Sequence, residues 1–251
     1  MTRFADSAVY KCPGCEGFFL RQQLASMNFS CTRDWSDGAP TAWWAQMPLV
    51  RCHACAALFW IDDLEPVGEL PRKPRDVGGL YRVLAPWRSD TKGWLRAEQA
   101  WLAVPDGWKA AESVGSVDFE DVAYVLSKSD GLSRSKLLWL RQRIWWSLNN
   151  RYRVRSDGSP IPNVPTMDEV DERANMQAIL ELLEQGEMGA RDLLKKGELL
   201  RLLGRFDDAV AVLKAVPPDG YTEIRASRIE RLARRGDLQV RPLDTEARWV
   251  W

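Results

Sequence analysis

Hydrophobic and polar positions change period along the chain. Met27, Phe29 and Cys31 alternate with Ser26, Asn28, Ser30 and Thr32, the period of two expected of a strand with one wet face. Asp37-Gly38 supplies a turn soon afterwards. Farther along, the pattern becomes helical. Residues 118–128 begin with acids and carry Val122, Val125 and Leu126, and residues 133–153 place Leu137, Leu140, Ile144 and Leu148 on one face. Trp87, Trp94, Trp101 and Trp108 recur every seven residues, but Gly93 and Pro105 interrupt the run. Only about residues 91–104 can form one helix there, and core packing is the expected use of these rings.

Two proline- and glycine-rich stretches punctuate these patterns. Pro66, Gly68, Pro71, Pro74, Gly78 and Gly79 disfavour helix and central strand, and residues 156–166 hold three prolines with no periodicity. The expected organisation is a cysteine-bearing head over residues 1–64, a linker at 65–79, and a tryptophan-rich, mainly helical middle at 80–155. A second linker at 156–166, a helical region at 167–238 and a tail at 239–251 complete it. The fold class is α+β: a small N-terminal β module followed by a mainly α-helical, repeat-like body.

At 251 residues and 45% hydrophobic content, the chain can bury either one large core or two or three modest ones. Lys plus Arg and Asp plus Glu both number 35, so any attraction to nucleic acid or an anionic surface must be local. Neither a signal-peptide core nor a membrane span is expected, and the chain reads as cytoplasmic. In a reducing compartment, five cysteines with two closely spaced pairs point to metal rather than to disulfides.

Cys12-Pro-Gly-Cys15 and Cys52-His-Ala-Cys55 are two C-x-x-C pairs, each followed by apolar residues, Phe18-Phe19-Leu20 and Leu58-Phe59-Trp60-Ile61. Two intervening residues let both sulfurs reach one ion from a tight turn, and two such turns complete a tetrahedral thiolate shell. The pairs resemble the knuckles of zinc-ribbon and rubredoxin-like domains over roughly residues 9–62. That resemblance implies one structural Zn²⁺ on Cys12, Cys15, Cys52 and Cys55, closed to water and substrate; iron is the alternative ion. Cys31 is expected in the core of its strand, and His53 at a solvent-facing position of the second knuckle.

Residues 133–155 carry Arg134, Lys136, Arg141, Arg143, Arg151, Arg153 and Arg155 without an acid, interleaved with Trp139, Trp145, Trp146 and Tyr152. Three uses fit this composition. Arg141, Arg143, Trp145 and Trp146 can contact a partner or single-stranded nucleic acid, the helix can lie on an anionic membrane, or it can dock on the acidic segment 168–187.

Residues 190–221 resemble one tetratricopeptide repeat. Gly197 falls at the small position of its first helix, and Gly204, Phe206 and Ala209 lie at and after the turn; Pro217-Pro218 closes the second helix. Only one unit is recognisable, so helices at 167–185 and 221–234 must supply the packing that further repeats would give. Trp249 and Trp251 at the end of the tail either fold back or anchor a partner.

Phosphate-binding and nucleophile-elbow motifs are missing, and the single histidine lies in a knuckle. The expectation is therefore not an enzyme but a protein-interaction adaptor or regulatory protein with a structural zinc site and another protein as partner. The alternative is a zinc-ribbon nucleic-acid-binding protein using the basic, tryptophan-rich helix.

Overall fold

A computed structural model describes residues 3–26, 34–39, 47–74, 92–155 and 158–243. The chain divides into two compact units. Among these residues, one unit holds 3–26, 47–74 and 92–117, and the other holds 34–39, 118–155 and 158–243.

The first unit is built on two β hairpins, each closed by a cysteine knuckle. β1 (Arg3–Phe4) pairs with β4 (Leu24–Ser26), and β2 (Ser7–Lys11) pairs antiparallel with β3 (Phe18–Arg21). β5 (Leu49–Arg51) and β6 (Leu58–Trp60) make the second knuckle hairpin, followed by a 3₁₀ turn, Ile61–Asp63. β7 (Gly68–Leu70) lies antiparallel to β2 at one edge of a four-stranded sheet. This strand falls inside the expected linker. An edge position explains it, because prolines at 66 and 71 flank the paired residues and do not interrupt a central ladder.

α1 (Lys92–Ala103) and α2 (Asp106–Lys109) then lead to β8 (Glu112–Ser113), which runs parallel to β3. Immediately beyond, Gly115 exchanges backbone hydrogen bonds with Arg51, at 3.2 and 2.9 Å. Residues 112–115 thus staple one knuckle hairpin to the other, so the first unit runs to residue 117 and takes the front of the expected middle region with it. Trp108 packs edge-on to Phe18, with ring centroids 6.3 Å apart, consistent with a packing role for that ring. Trp87 lies outside the described residues, as do Met27, Phe29 and Cys31.

The second unit is a succession of helices: α3 (Phe119–Ser127), α4 (Arg134–Asn149), α5 (Glu169–Glu184), α6 (Ala190–Leu202), α7 (Phe206–Lys214) and α8 (Tyr221–Arg234). Each packs on the next, and α8 also returns to α6. The starts of α3, α4 and α5 carry side-chain caps. Asp118 and Asp121 form a reciprocal capping box on α3, and Asp168 accepts from the Val170 N–H at 2.8 Å on α5. The helices on either side of the break expected at 156–166 share one compact unit. A local turn closes there, in which the Arg155 N–H donates to the Ser159 carbonyl at 2.7 Å.

One apolar cluster joins Trp145, Ile179, Leu180, Leu183, Leu199, Leu200, Ala209 and Ala233, and another joins Leu194, Leu213, Val216, Ala226, Ile229 and Leu243. Gly197 permits the tight α6–α7 hairpin: a β-carbon built there would lie 2.5 Å from Leu213 Cγ. Glu198 and Arg201, both fully buried, pair with each other on α6, and Arg201 also donates to the carbonyls of Asp237 and Gln239. That clamp holds residues 237–243 as a strap, with Val240 and Leu243 buried, so the described front of the tail expected from residue 239 is folded back on the helices. Trp249 and Trp251 lie outside the described residues. Among those residues, no helix is long and apolar enough to cross a membrane.

Candidate metal centre

The two knuckles are local copies of one structure. In the first, the Cys12 N–H donates to the Gly17 carbonyl at 2.8 Å and the Glu16 N–H to the Cys12 carbonyl at 2.9 Å. In the second, the Cys52 N–H donates to the Ala57 carbonyl and the Ala56 N–H to the Cys52 carbonyl, both at 2.9 Å. Glu16 and Ala56 each adopt φ 59°. The correspondence extends into the strands, where Tyr10, Cys12, Cys15 and Phe19 match Val50, Cys52, Cys55 and Phe59 at a constant offset. The cysteine pairs were legible in the sequence. The longer repeat around them is a signal that the spacing argument passed over.

Packing brings the copies face to face. Phe19 stacks on Tyr10 at 5.5 Å between centroids and meets Phe59 at 5.2 Å, in a core shared with Ala8, Val50, Ile61, Cys12 and Cys52. The Sγ atoms of Cys12, Cys15, Cys52 and Cys55 all lie within 4.8 Å of one another. Cys12 and Cys55 are 3.7 Å apart and Cys15 and Cys52 3.8 Å apart. A tetrahedron with metal–sulfur bonds of about 2.3 Å has sulfur–sulfur edges of about 3.8 Å. The four sulfurs therefore fit one tetrahedrally coordinated ion. Gly14 lies at the mouth of this cage, where an added β-carbon would sit 3.1 Å from Ala57 Cβ and 3.3 Å from Cys55 Sγ.

Electrostatics point the same way. Burial opposes ionisation of Cys52, but the N–H groups of Cys55 and Ala54 and the thiols of Cys12 and Cys55 outweigh it and bring its pKa down to about 7. The Ala57 N–H favours the Cys55 thiolate, yet burial and the sulfurs of Cys15, Cys12 and Cys52 together push its pKa up to about 12. Burial raises Cys12 as well. Four thiols this close cannot all carry charge unaided, whereas a bound dication would offset the repulsion. Cys12 and Cys52 are buried while Cys15 and Cys55 reach the surface, which gives an ion a path in. His53 is exposed and stands outside the thiolate group.

The other sequence candidates lie in the helical unit. Trp145 is 3% exposed and forms part of the core between helices. Trp146 donates its indole N–H to the Asp37 carbonyl at 3.1 Å. Arg141 donates to Asn175 Oδ1 at 3.3 Å, and Asn175 returns a bond to the Arg141 carbonyl at 3.1 Å. Arg143 lies over the Trp139 ring at 5.9 Å, and burial lowers its pKa. Arg151 grips Glu172 through two bonds of 2.9 and 2.6 Å. The basic helix thus docks on the acidic one. Charge is the lesser part of that contact: Arg134 serves the carbonyls of Leu182 and Leu183 at the end of α5, and buried leucine, isoleucine and tryptophan fill the space between.

Sequence reasoning missed a polar constellation around Asp37. Its side chain is fully buried, pairs with Arg153 and accepts from Asn149 Nδ2 at 2.9 Å. Arg153 also lies 5.7 Å from the centroid of the Trp35 ring and donates to the Trp146 carbonyl and to Asn150 Oδ1, both at 2.7 Å. Asp37-Gly38 is the expected turn, closed by the Gly38 N–H on the Trp35 carbonyl at 2.9 Å. The turn belongs to the helical unit, although it interrupts the first unit in sequence. No periodicity or motif links Asp37 to an arginine so distant in the chain.

Comparison with protein-family models, curated proteins and solved structures finds no match to the chain.

Proposed function

We propose that the chain is a non-enzymatic interaction adaptor whose head is a zinc ribbon with one structural Zn²⁺. The reading rests on one observation above all: four sulfurs from two matching knuckles converge at tetrahedral spacing. Soft thiolates in that geometry suit Zn²⁺, and four protein ligands leave no coordination position for water or substrate. Bound there, the ion would tie the two hairpins together and supply folding free energy.

The adaptor part draws on the helical body. A hairpin with a glycine at its closest approach, extended by a helix on each side, resembles tetratricopeptide architecture, which presents surfaces to other proteins. The basic helix is committed to internal contacts through Trp145, Arg141 and Arg151, so the nucleic-acid reading has less to draw on.

Metal content of the freshly isolated, untagged chain tests the first half. One zinc per chain, lost in Cys12→Ser and in Cys52→Ser, is the expected outcome. Iron in its place, or no stoichiometric metal, refutes the zinc assignment. Affinity purification from the native host tests the second half: a reproducible protein partner is expected, and nucleic acid without such a protein overturns it.

A further inference from the structure

Residues 34–38, Asp-Trp-Ser-Asp-Gly, sit in the helical unit as a peptide sits in a reader. Their main chain adds to the strap: the Ser36 N–H donates to the Arg241 carbonyl at 2.9 Å, and the Leu243 N–H donates to the Asp34 carbonyl at 2.7 Å. Trp35 and Pro242 form an antiparallel bridge. Strand addition of this kind supplies affinity without sequence preference, and side-chain pockets supply the preference. Two anchors do that here. Trp35 is 3% exposed beside the Arg153 guanidinium, and Asp37 is held by Arg153 and Asn149. At the other end, Arg225 from α8 pairs with Asp34 and donates to the Trp35 carbonyl at 3.0 Å.

Two features separate this seat from ordinary core. The segment is short, and in sequence it interrupts the first unit. Its occupant also leaves the seat incompletely satisfied: Nε of Arg153 and Nε of Arg225 are buried donors with no acceptor among the described residues. A ligand that met both would compete well, because an unmade bond to a buried cation is costly.

We propose that the helical unit is a reader of acidic, tryptophan-anchored turns of the form Asp-Trp-x-Asp-Gly, and that residues 34–38 fill it in cis. The partner, on this view, carries such a turn and displaces the chain's own. The inference rests on the adaptor reading and names the chemistry of its partner. A tethered occupant acts at an effective concentration on the order of millimolar. A free peptide should therefore bind the unaltered chain poorly and a chain with an emptied seat well.

The probe is a fluorescein-labelled synthetic peptide of residues 33–40, followed by anisotropy against the full chain. Trp35→Ala with Asp37→Ala removes both anchors of the cis segment. This opened chain should bind the peptide at least about tenfold more tightly than the unaltered chain, since the tethered competitor is gone. Adding Arg225→Ala to the opened chain, or placing Asp37→Ala in the peptide, should cost about tenfold or more, as loss of a buried charge pair does. If the opened chain does not fold alone, the peptide should restore its helical circular dichroism and raise its Tm by mass action. Equal affinity for both chains overturns the proposal, as does an opened chain that is neither bound nor rescued. Dimers of the unaltered chain that exchange residues 34–38 between copies overturn it in favour of a second copy as occupant. Failure of the peptide while a reproducible protein still co-purifies sinks this inference alone and leaves the adaptor reading standing.

Discussion

The buried pair of Asp37 and Arg153 offers the sharpest test of how the second unit is held together. The Asp37 side chain is 0% exposed and that of Arg153 7% exposed. The carboxylate accepts from Arg153, from Asn149 at 2.9 Å and from the Ala39 N–H at 3.2 Å. Removing one partner of such a pair costs about 3–5 kcal/mol, because the other charge stays buried and alone. In Asp37→Ala, however, Arg153 keeps the Trp146 carbonyl and Asn150 Oδ1. The expected loss is therefore near the lower bound, ~3 kcal/mol. Arg153→Met should cost a similar amount, since it strands the carboxylate with its two neutral donors. The double variant buries neither charge, and its loss should fall short of the sum of the singles by ~2 kcal/mol. Urea unfolding followed by far-UV circular dichroism measures all three. Additivity within ~0.5 kcal/mol would show that the two groups are not coupled and would refute the argument.

Gly197→Ala places a methyl 2.5 Å from Leu213 Cγ and should destabilise the helical unit by about 1–3 kcal/mol in the same assay, with partial rescue by Leu213→Ala. Ala56→Gly removes a β-carbon from a residue at φ 59°. Strain relief of about 1–2 kcal/mol, less the entropy of a new glycine, should raise the Tm of the metal-loaded chain slightly, which calorimetry reads. The cage thiols must lose their protons to bind an ion, so metal affinity should fall with pH throughout the range below the Cys55 pKa of about 12, and more steeply once pH drops below the Cys52 pKa of about 7. The expected loss is about tenfold per pH unit for each displaced proton, followed by competition with a chromogenic chelator. An affinity that is flat between neutral and mildly acidic pH would show that the thiols are not the ligands. Chelation at neutral pH should open the two hairpins to protease within the first unit; unchanged protection would mean that packing alone holds them.

Local rules already reveal the four-cysteine cluster and the helices. Cys12, Cys15, Cys52 and Cys55 announce themselves because a knuckle is a short-range structure: two residues between sulfurs decide whether both can face one ion. The same holds for α3, whose Asp118 cap lies beside its first turn, and for α8, whose pattern over residues 221–234 matches the helix found there. Charge complementarity offers docking of the basic helix on the acidic one as one of three uses, and only the packed structure shows that the two meet and that Trp145, Ile179 and Leu183 carry the contact.

Domain limits, by contrast, escape a linear reading. Gly68–Leu70 is a strand because β2 offers it an open edge, and residues 112–115 belong to the first unit because two hairpins lie where one short segment can bond both. Asp37 looks like half of a surface turn until Arg153, Asn149 and the strap close around it. The physical reason is the same in each case. Spacing and periodicity report forces that act within a few residues, whereas an edge, a buried pair or a clasped peptide exists only when the chain's distant parts are brought into contact.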